Sequence, residues 1–441
     1  MSRKLFGTDG IRGVAGEPPL DRPTAFALGV ALGKWIENGG HSHKNVVIGM
    51  DTRESGTWLA EHVAGGLATR GVNVRFAGII TTPGVAYLAR IGDHDAGVMI
   101  SASHNPFRDN GIKVIDHSGF KMPDAEELKL EADIFEFLAS GAEIAPKPLV
   151  IDEGLDHAYL DFLASTCHTS LNGLRIALDC ANGAAAGLAP ALFERLGAKV
   201  VAQLGVSPNG QNINLDCGST HIDSLRAAVV ETGADVGIAF DGDADRALFV
   251  SRSGKDIDGD AVMLITGTAL GVSSVVATVM SNMGLEVALR DRGIDLVRTA
   301  VGDKYVLEEM VKQDLPLGGE QSGHIIFRQW STTGDGMLTA LRVLEVMRDT
   351  GQDLEALASA MRVYPQLLVN VRIREKKPLA ELHEVSREIA AAEREFHGNG
   401  RVLVRFSGTE PLARVMVEGP EQASVEHWAH RIADTLRQEL S

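Results

Sequence analysis

The sequence predicts an α/β fold, with three consecutive α/β mixed-sheet domains and a smaller C-terminal α+β domain. Three observations carry that prediction. Helical and strand periodicities alternate from residue 23 to residue 312. Polar, glycine-bearing loops follow directly on apolar strand runs. From about residue 366 the order changes to strand, helix, strand, strand, helix.

Residues 23–38 place Phe26, Ala27, Val30, Ala31, Trp35 and Ile36 at helical spacing, with Pro23 suited to a first turn. Residues 45–50 form a short buried-strand run, and 55–70 a helix with Leu59, Val63 and Leu67 on one face. Residues 72–77 and 96–100 are strands. The segment 139–154, with Pro146, Pro148 and two glycines, reads as a connection. A second unit runs strand 175–179, helix 185–196, strand 199–203, helix 223–231, strand 235–240. A third begins near Asp260, with strand 274–279, helix 285–290, strand 295–299 and helix 303–312. The last unit ends on a helix over 421–438. The expected domains are therefore 1–153, 154–256, 257–366 and 367–441.

With 441 residues, 44% hydrophobic and 23% charged, the chain has the composition of a soluble protein with ample core. Cys167, Cys180 and Cys217 lie far apart with no C-x-x-C pair, which argues against a disulfide framework and fits a reducing compartment. Residues 1–10 lack the apolar stretch of a signal peptide. The run 264–280 is broken by Thr266, Gly267, Gly271 and Ser273, so it reads as two core elements with a turn rather than a membrane span. A cytoplasmic protein, monomeric or homodimeric, is expected. A net charge of −17 disfavours nucleic acid and anionic membranes as partners. An anionic substrate would need positive charge concentrated locally.

Four loops have the residue types of a reactive site. Ser101-Ala102-Ser103-His104-Asn105-Pro106 follows the apolar strand 96–100, and ligands of α/β sheets gather at the carboxyl ends of strands. Asp241-Gly242-Asp243-Ala244-Asp245-Arg246 ends another strand. Its three alternating carboxylates repel one another unless a hard divalent cation neutralises them. An EF-hand is excluded, because Arg246 and Arg252 stand where glycine and glutamate are needed. The segment 318–324 offers Glu320 and Ser322 to hydroxyl groups, with His324 beside them. Finally, Arg405 precedes Ser407, Gly408 and Thr409, with Arg414 on the following strand. Backbone N–H groups, hydroxyls and a guanidinium there suit an oxyanion. Taken singly, each loop is also compatible with an ordinary polar turn.

Together, in this order, they resemble the serine, metal, sugar and phosphate loops of the α-D-phosphohexomutases, one from each of four domains. Phe6-Gly7-Thr8-Asp9-Gly10-Ile11-Arg12-Gly13 and the run 332–336 extend the resemblance over essentially the whole chain. Two departures stand out: Lys304 where the family usually has arginine, and Ala244 where glycine is common.

The resemblance implies four domains around a central cleft and a small phosphosugar as substrate. Within the family, the motifs point to the reversible conversion of glucosamine 6-phosphate to glucosamine 1-phosphate. Ser103 would carry phosphate, with Ser101 the second candidate, and glucosamine 1,6-bisphosphate would be the intermediate. One Mg2+ would be held by Asp241, Asp243, Asp245 and the phosphorylated Ser103. Arg12 and Arg246 would add positive charge, Lys113 would assist proton transfer, and His104 and His324 would hold phosphate or move a proton. Glu320 and Ser322 would take the sugar. Arg405, Ser407, Gly408, Thr409 and Arg414 would hold the phosphate that is not reacting. A glucose or mannose phosphate mutase, and a phosphoserine-dependent sugar phosphatase, remain alternatives at this stage.

Overall fold

The structure, a computed structural model, describes residues 4–7, 9–39, 43–375, 377–406 and 412–440. The chain divides into two compact units. One comprises the residues up to Val279 together with Val297–Ala358; the other comprises Met280–Leu296 together with Ser359–Ser441.

The first sheet holds β1 (Phe6–Gly7), β2 (Gly10–Val14), β3 (Asn45–Met50), β4 (Asn73–Ile79), β5 (Ala96–Ile100) and β6 (Asp109–Asp116), in the order β1-β2-β6-β5-β3-β4. It is mixed: β3 lies parallel to β4 and β5, while β6 runs antiparallel to β5 and β2. Every residue of β5 is buried, as its unbroken apolar run requires of a central strand. The helix Arg22–Asn38 begins on Asp21, whose carboxylate accepts from Thr24 N at 2.9 Å, and has proline in its first turn. Its apolar face joins Leu59 and Val63 of the helix Gly56–Ala68 and Val46, Ile48 and Val98 of the sheet in one core.

The second sheet holds β7 (Arg175–Asp179), β8 (Lys199–Leu204), β9 (Val236–Phe240), β10 (Ala247–Ser251) and β11 (Asp256–Ile257), in the order β11-β10-β9-β7-β8. Here β7 is parallel to β8 and β9, and β10 is antiparallel to β9. The helix expected over 185–196 is shorter, Ala189–Arg195. The residues before it turn against the acidic loop instead: Ala184 N donates to Gly242 O at 2.8 Å, and a Cβ on Gly183 would lie 2.4 Å from that oxygen.

The third sheet holds β12 (Ser274–Thr278), β13 (Asp295–Thr299), β14 (Leu317–Gly319) and β15 (Ile325–Phe327), in the order β13-β12-β14-β15, with β12–β14 parallel and β14–β15 antiparallel. The apolar stretch 264–280 resolves into the end of the helix Gly259–Leu270, a turn and β12. Among the described residues no helix is long and apolar enough to cross a membrane.

The fourth sheet, β16 (Gln366–Arg372), β17 (Arg401–Phe406) and β18 (Leu412–Glu418), is antiparallel in the order β16-β18-β17. With the helices His383–Phe396 and Gln422–Leu440 it shares a core that includes Val385, Phe396, Val415, Trp428 and Leu436. This is the strand, helix, strand, strand, helix order that the sequence predicts. The helix Met283–Arg290 groups with this unit, Met283 N donating to the fully buried Glu418 carboxylate at 2.9 Å.

Several elements are not anticipated from sequence: β1, β2 and β6, and the helices Thr82–Ile91, Asp124–Ser140 and Leu155–Thr166. The stretch Asn110-Gly111-Ile112-Lys113 lies within β6. Asparagine and glycine weaken a strand locally, but pairing with β2 on one side and β5 on the other overrides that preference.

Candidate active site

The serine loop leaves the buried end of β5 and returns into β6. Ser103 is 1% exposed and holds φ +52°, a left-handed conformation costly for a residue with a Cβ. Arg53, at the end of β3, accounts for how that conformation is held. Its fully buried guanidinium donates to the carbonyls of Ser103 (2.9 Å), Asn105 (2.8 Å), Pro106 (2.5 Å) and Asp109 (2.9 Å), and its Nε to Asp51 Oδ2 (2.9 Å). Asn214, from beyond β8, also donates to Ser103 O at 2.9 Å. Ser101 is committed to the same frame: its Oγ donates to Asp51 (2.7 Å) and accepts from Ser103 N (2.9 Å). Ser103 Oγ is instead directed at the acidic loop, donating to Asp241 Oδ2 at 2.5 Å. That hydrogen bond separates the two serines.

The acidic loop follows β9 and is pressed against the serine loop, so closely that a Cβ on Gly242 would lie 2.5 Å from Ser103 O. Ala244 takes φ +54°, which explains why glycine suits this position; alanine there costs about 1 kcal/mol. Asp241, Asp243 and Asp245 are all buried, and one oxygen of each lies within 4.8 Å of the others. Burial, reinforced by the Asp245 and Asp243 charges, holds the Asp241 carboxyl well above the usual range. Asp243 Oδ2 accepts from Thr82 Oγ1 (2.6 Å) and Lys113 Nζ (2.9 Å), whereas Asp243 Oδ1 and Asp245 Oδ1 are buried without a hydrogen-bond partner. Converging hard oxygens with unused lone pairs fit a divalent cation such as Mg2+.

Cations frame this loop. Burial alone would lower the Lys113 pKa, but the Asp243 and Asp9 carboxylates outweigh it and raise it, so Lys113 is an ammonium. Arg246 is likewise raised against burial by Asp245, Asp241 and Glu320; its NH1 lies 3.3 Å from His104 Nδ1. His104 Nδ1 is also 3.4 Å from Ser103 Oγ, and burial, then Arg246 and Arg12, lower its pKa and keep it neutral. Arg12 pairs with Asp9.

His324 engages both ring nitrogens: Gly334 N donates to Nε2 at 3.0 Å, and Nδ1 lies 3.5 Å from Asp245 Oδ2. Burial would lower its pKa, and Asp245 and Asp303 raise it. The Gly334 N–H requires a free lone pair on Nε2, and that geometry selects the neutral Nδ1–H tautomer facing Asp245. Glu320 accepts from Gly302 N at 3.2 Å, and the buried Ser322 Oγ has no partner among the described residues. Lys304 pairs with Asp124 at 2.5 Å.

In the C-terminal unit, Arg405 and Arg414 stand directly opposite one another across the β17–β18 ladder. Ser407, Gly408 and Thr409 lie outside the described residues. Sequence reading missed Asp9, Asp51, Arg53, Thr82, Asn214 and Asp303, which contact site residues, and Lys121, which bonds to Asp9 and Asp303. Asp51 and Arg53 carried one usable signal, their place at the carboxyl end of a predicted strand.

The site defines a class of protein, and comparison with known families agrees. Four family models match in succession: Phosphoglucomutase/phosphomannomutase, alpha/beta/alpha domain I over residues 3–139, domain II over 157–254, domain III over 258–364, and the C-terminal domain over 368–435. The chain belongs to this phosphohexomutase family. A phosphoglucosamine mutase from Solibacter usitatus is 58% identical over 449 residues, covering 100% of both chains. Among solved structures, a phosphoglucomutase/phosphomannomutase family protein from Burkholderia thailandensis superposes with a TM-score of 0.81 at 24% identity, over 98% of this chain and 96% of that one. An N-acetylphosphoglucosamine mutase from Aspergillus fumigatus, in complex with GlcNAc-6P and magnesium, gives a TM-score of 0.64 at 18% identity, over 100% and 96%.

Proposed function

We propose that this chain interconverts glucosamine 6-phosphate and glucosamine 1-phosphate through a phosphoryl group carried on Ser103 Oγ. The carrying observation is the 2.5 Å contact between Ser103 Oγ and Asp241, which sets a buried hydroxyl against a three-carboxylate loop. The choice of glucosamine draws on the Solibacter usitatus relative.

Asp241, Asp243, Asp245 and an oxygen of phosphorylated Ser103 would hold Mg2+, which when bound neutralises charge on the transferring group. The chain's own residues do the rest. O1 of the 6-phosphate attacks phosphorus, the O1–P bond forms as the Oγ–P bond breaks, and the O1 proton passes to a base while Oγ regains one. The resulting 1,6-bisphosphate turns over in the site. Ser103 Oγ then attacks the 6-phosphate, the O6–P bond breaks, and O6 takes up a proton. Neutral His104, 3.4 Å from Oγ, is placed to exchange the serine proton. The Lys113 ammonium and Arg246 stabilise the developing negative charge. His324 orients Asp245 through Nδ1. Glu320 and Ser322 meet sugar hydroxyls, and Arg405 and Arg414, with Ser407, Gly408 and Thr409, hold the phosphate that is not reacting. The domains 1–153, 154–256, 257–366 and 367–441 would each supply one loop. Three unpaired cysteines suit a cytoplasmic enzyme.

Turnover of the 6-phosphates of glucosamine, glucose and mannose with Mg2+ tests the reading. The expected kcat/KM for glucosamine is higher by at least about tenfold, and chelating the metal abolishes it. A preference for glucose or mannose overturns the sugar assignment. Release of free phosphate in step with substrate loss would instead make the chain a phosphatase.

A further inference from the structure

Asp9 is one carboxylate shared by three cations. Its Oδ1 receives Lys121 Nζ at 2.5 Å, and its Oδ2 receives Lys113 Nζ at 3.1 Å and the Arg12 guanidinium. Each lysine has a second partner elsewhere. Lys113 Nζ reaches Asp243 Oδ2 of the acidic loop at 2.9 Å, and Lys121 Nζ reaches Asp303 Oδ2 at 2.5 Å. Asp303 lies 3.9 Å from His324 Nε2, and His324 Nδ1 faces Asp245. Charges of alternating sign thus run from Asp243 through Lys113, Asp9 and Lys121 to Asp303, and the neutral His324 ring lies between Asp303 and Asp245. They join Asp243 and Asp245 of the acidic loop through residues that all belong to the first unit.

We infer that Asp9 is a positioning residue for the phosphoryl transfer, acting through Lys113. The inference rests on the mutase reading above. The physical argument is geometric. A lysine ammonium on a four-carbon stem has many rotamers, and one carboxylate does not fix it. Asp243 has its Oδ2 occupied by Thr82 and Lys113 and its Oδ1 unused. It can therefore be drawn toward a cation at that free oxygen. Asp9 gives Lys113, on β6, a second anchor outside the acidic loop, between β1 and β2. Asp9 is itself held from two directions by Arg12 and Lys121, so the anchor does not move with the loop. Displacing a catalytic ammonium by about 1 Å costs about 100-fold in rate without weakening substrate binding to match.

The test is a kinetic cycle on full-length, Mg2+-loaded protein: wild type, Asp9→Asn, Lys113→Met and the double variant, with glucosamine 6-phosphate. Asp9→Asn keeps the side-chain shape and removes the charge. It is expected to lower kcat by about 10- to 100-fold with KM within about threefold. Added to Lys113→Met, it is expected to lower kcat by less than about twofold further, because the group it positions is already gone. If the two losses multiply, or Asp9→Asn changes KM alone or leaves kcat intact, Asp9 does not act through Lys113. Should either variant fail to fold, Asp9→Glu and Lys113→Arg form the same cycle with charge retained, and the same outcomes decide. Wild type measured alongside separates the two questions: if it does not interconvert the sugar phosphates, the mutase reading fails, not the positioning.

Discussion

The two arginine-bearing regions of this protein treat charge in opposite ways. Around the serine and acidic loops, charge is buried and already paired: the Arg53 side chain is 0% exposed and donates five side-chain hydrogen bonds. On the β17–β18 ladder, Arg405 is exposed, and its directly opposite neighbour is another arginine. Like charges facing across a ladder are destabilising, and an anion between them removes the penalty. The difference separates two tasks. A reacting centre must be fixed before substrate arrives, because reorganisation during the reaction adds to the barrier. In the proposed mechanism the ladder arginines instead receive either end of a bisphosphate, so their worth lies in binding.

The buried region should therefore fail by unfolding and the ladder by weakened binding. The largest effect is expected at Arg53. Arg53→Met leaves Asp51 buried without its cation and takes a donor from each of four carbonyls, and should cost about 3–5 kcal/mol in a denaturant titration. A loss below about 1 kcal/mol would mean that the serine loop holds its shape without this clamp.

The next concerns Asp335, which caps the helix Gly336–Thr350 and accepts from Tyr159 at 2.8 Å. Burial pushes its carboxyl up to about 6. The folded state then binds the proton more tightly than the unfolded state. Its contribution is most favourable below the unfolded value near 4 and is lost as pH rises through 6. Asp335→Asn removes this dependence. The stability of the variant relative to wild type should rise by about 2 kcal/mol between pH 4.5 and pH 7.5. A constant difference would place Asp335 in the ordinary range.

The smallest effect is expected on the ladder. Arg405→Ala and Arg414→Ala should each raise KM by about 10- to 50-fold, with kcat lowered less and thermal stability unchanged or slightly higher. Loss of stability without a KM effect would make the pair structural.

How much of this could be read in the sequence follows the same division. Ser103 and the three aspartates sit in contiguous loops, and Arg405 and Arg414 stand close together in sequence on adjacent strands, where local chemistry shows. The α/β alternation and the order of the C-terminal elements were legible from periodicity. Asp9, Arg53, Lys121 and Asp303 were not, because their roles depend on partners that folding brings together: Lys121 and Asp303, for example, are 182 positions apart. Strand β6, with Asn110 and Gly111, lacks a strand signature and exists through its two neighbours. For His324, its place in a glycine-rich loop was legible. That both its ring nitrogens are taken, by Gly334 and Asp245, was not.

The measurement that tests the central claim most directly is intact mass with peptide mapping of purified protein, paired with a Ser103→Ala assay on glucosamine 6-phosphate. The account predicts one phosphoryl group on Ser103 and a loss of activity on the order of 10,000-fold or more in the variant. Activity that survives in Ser103→Ala, with no phosphate anywhere in residues 101–106, would contradict it.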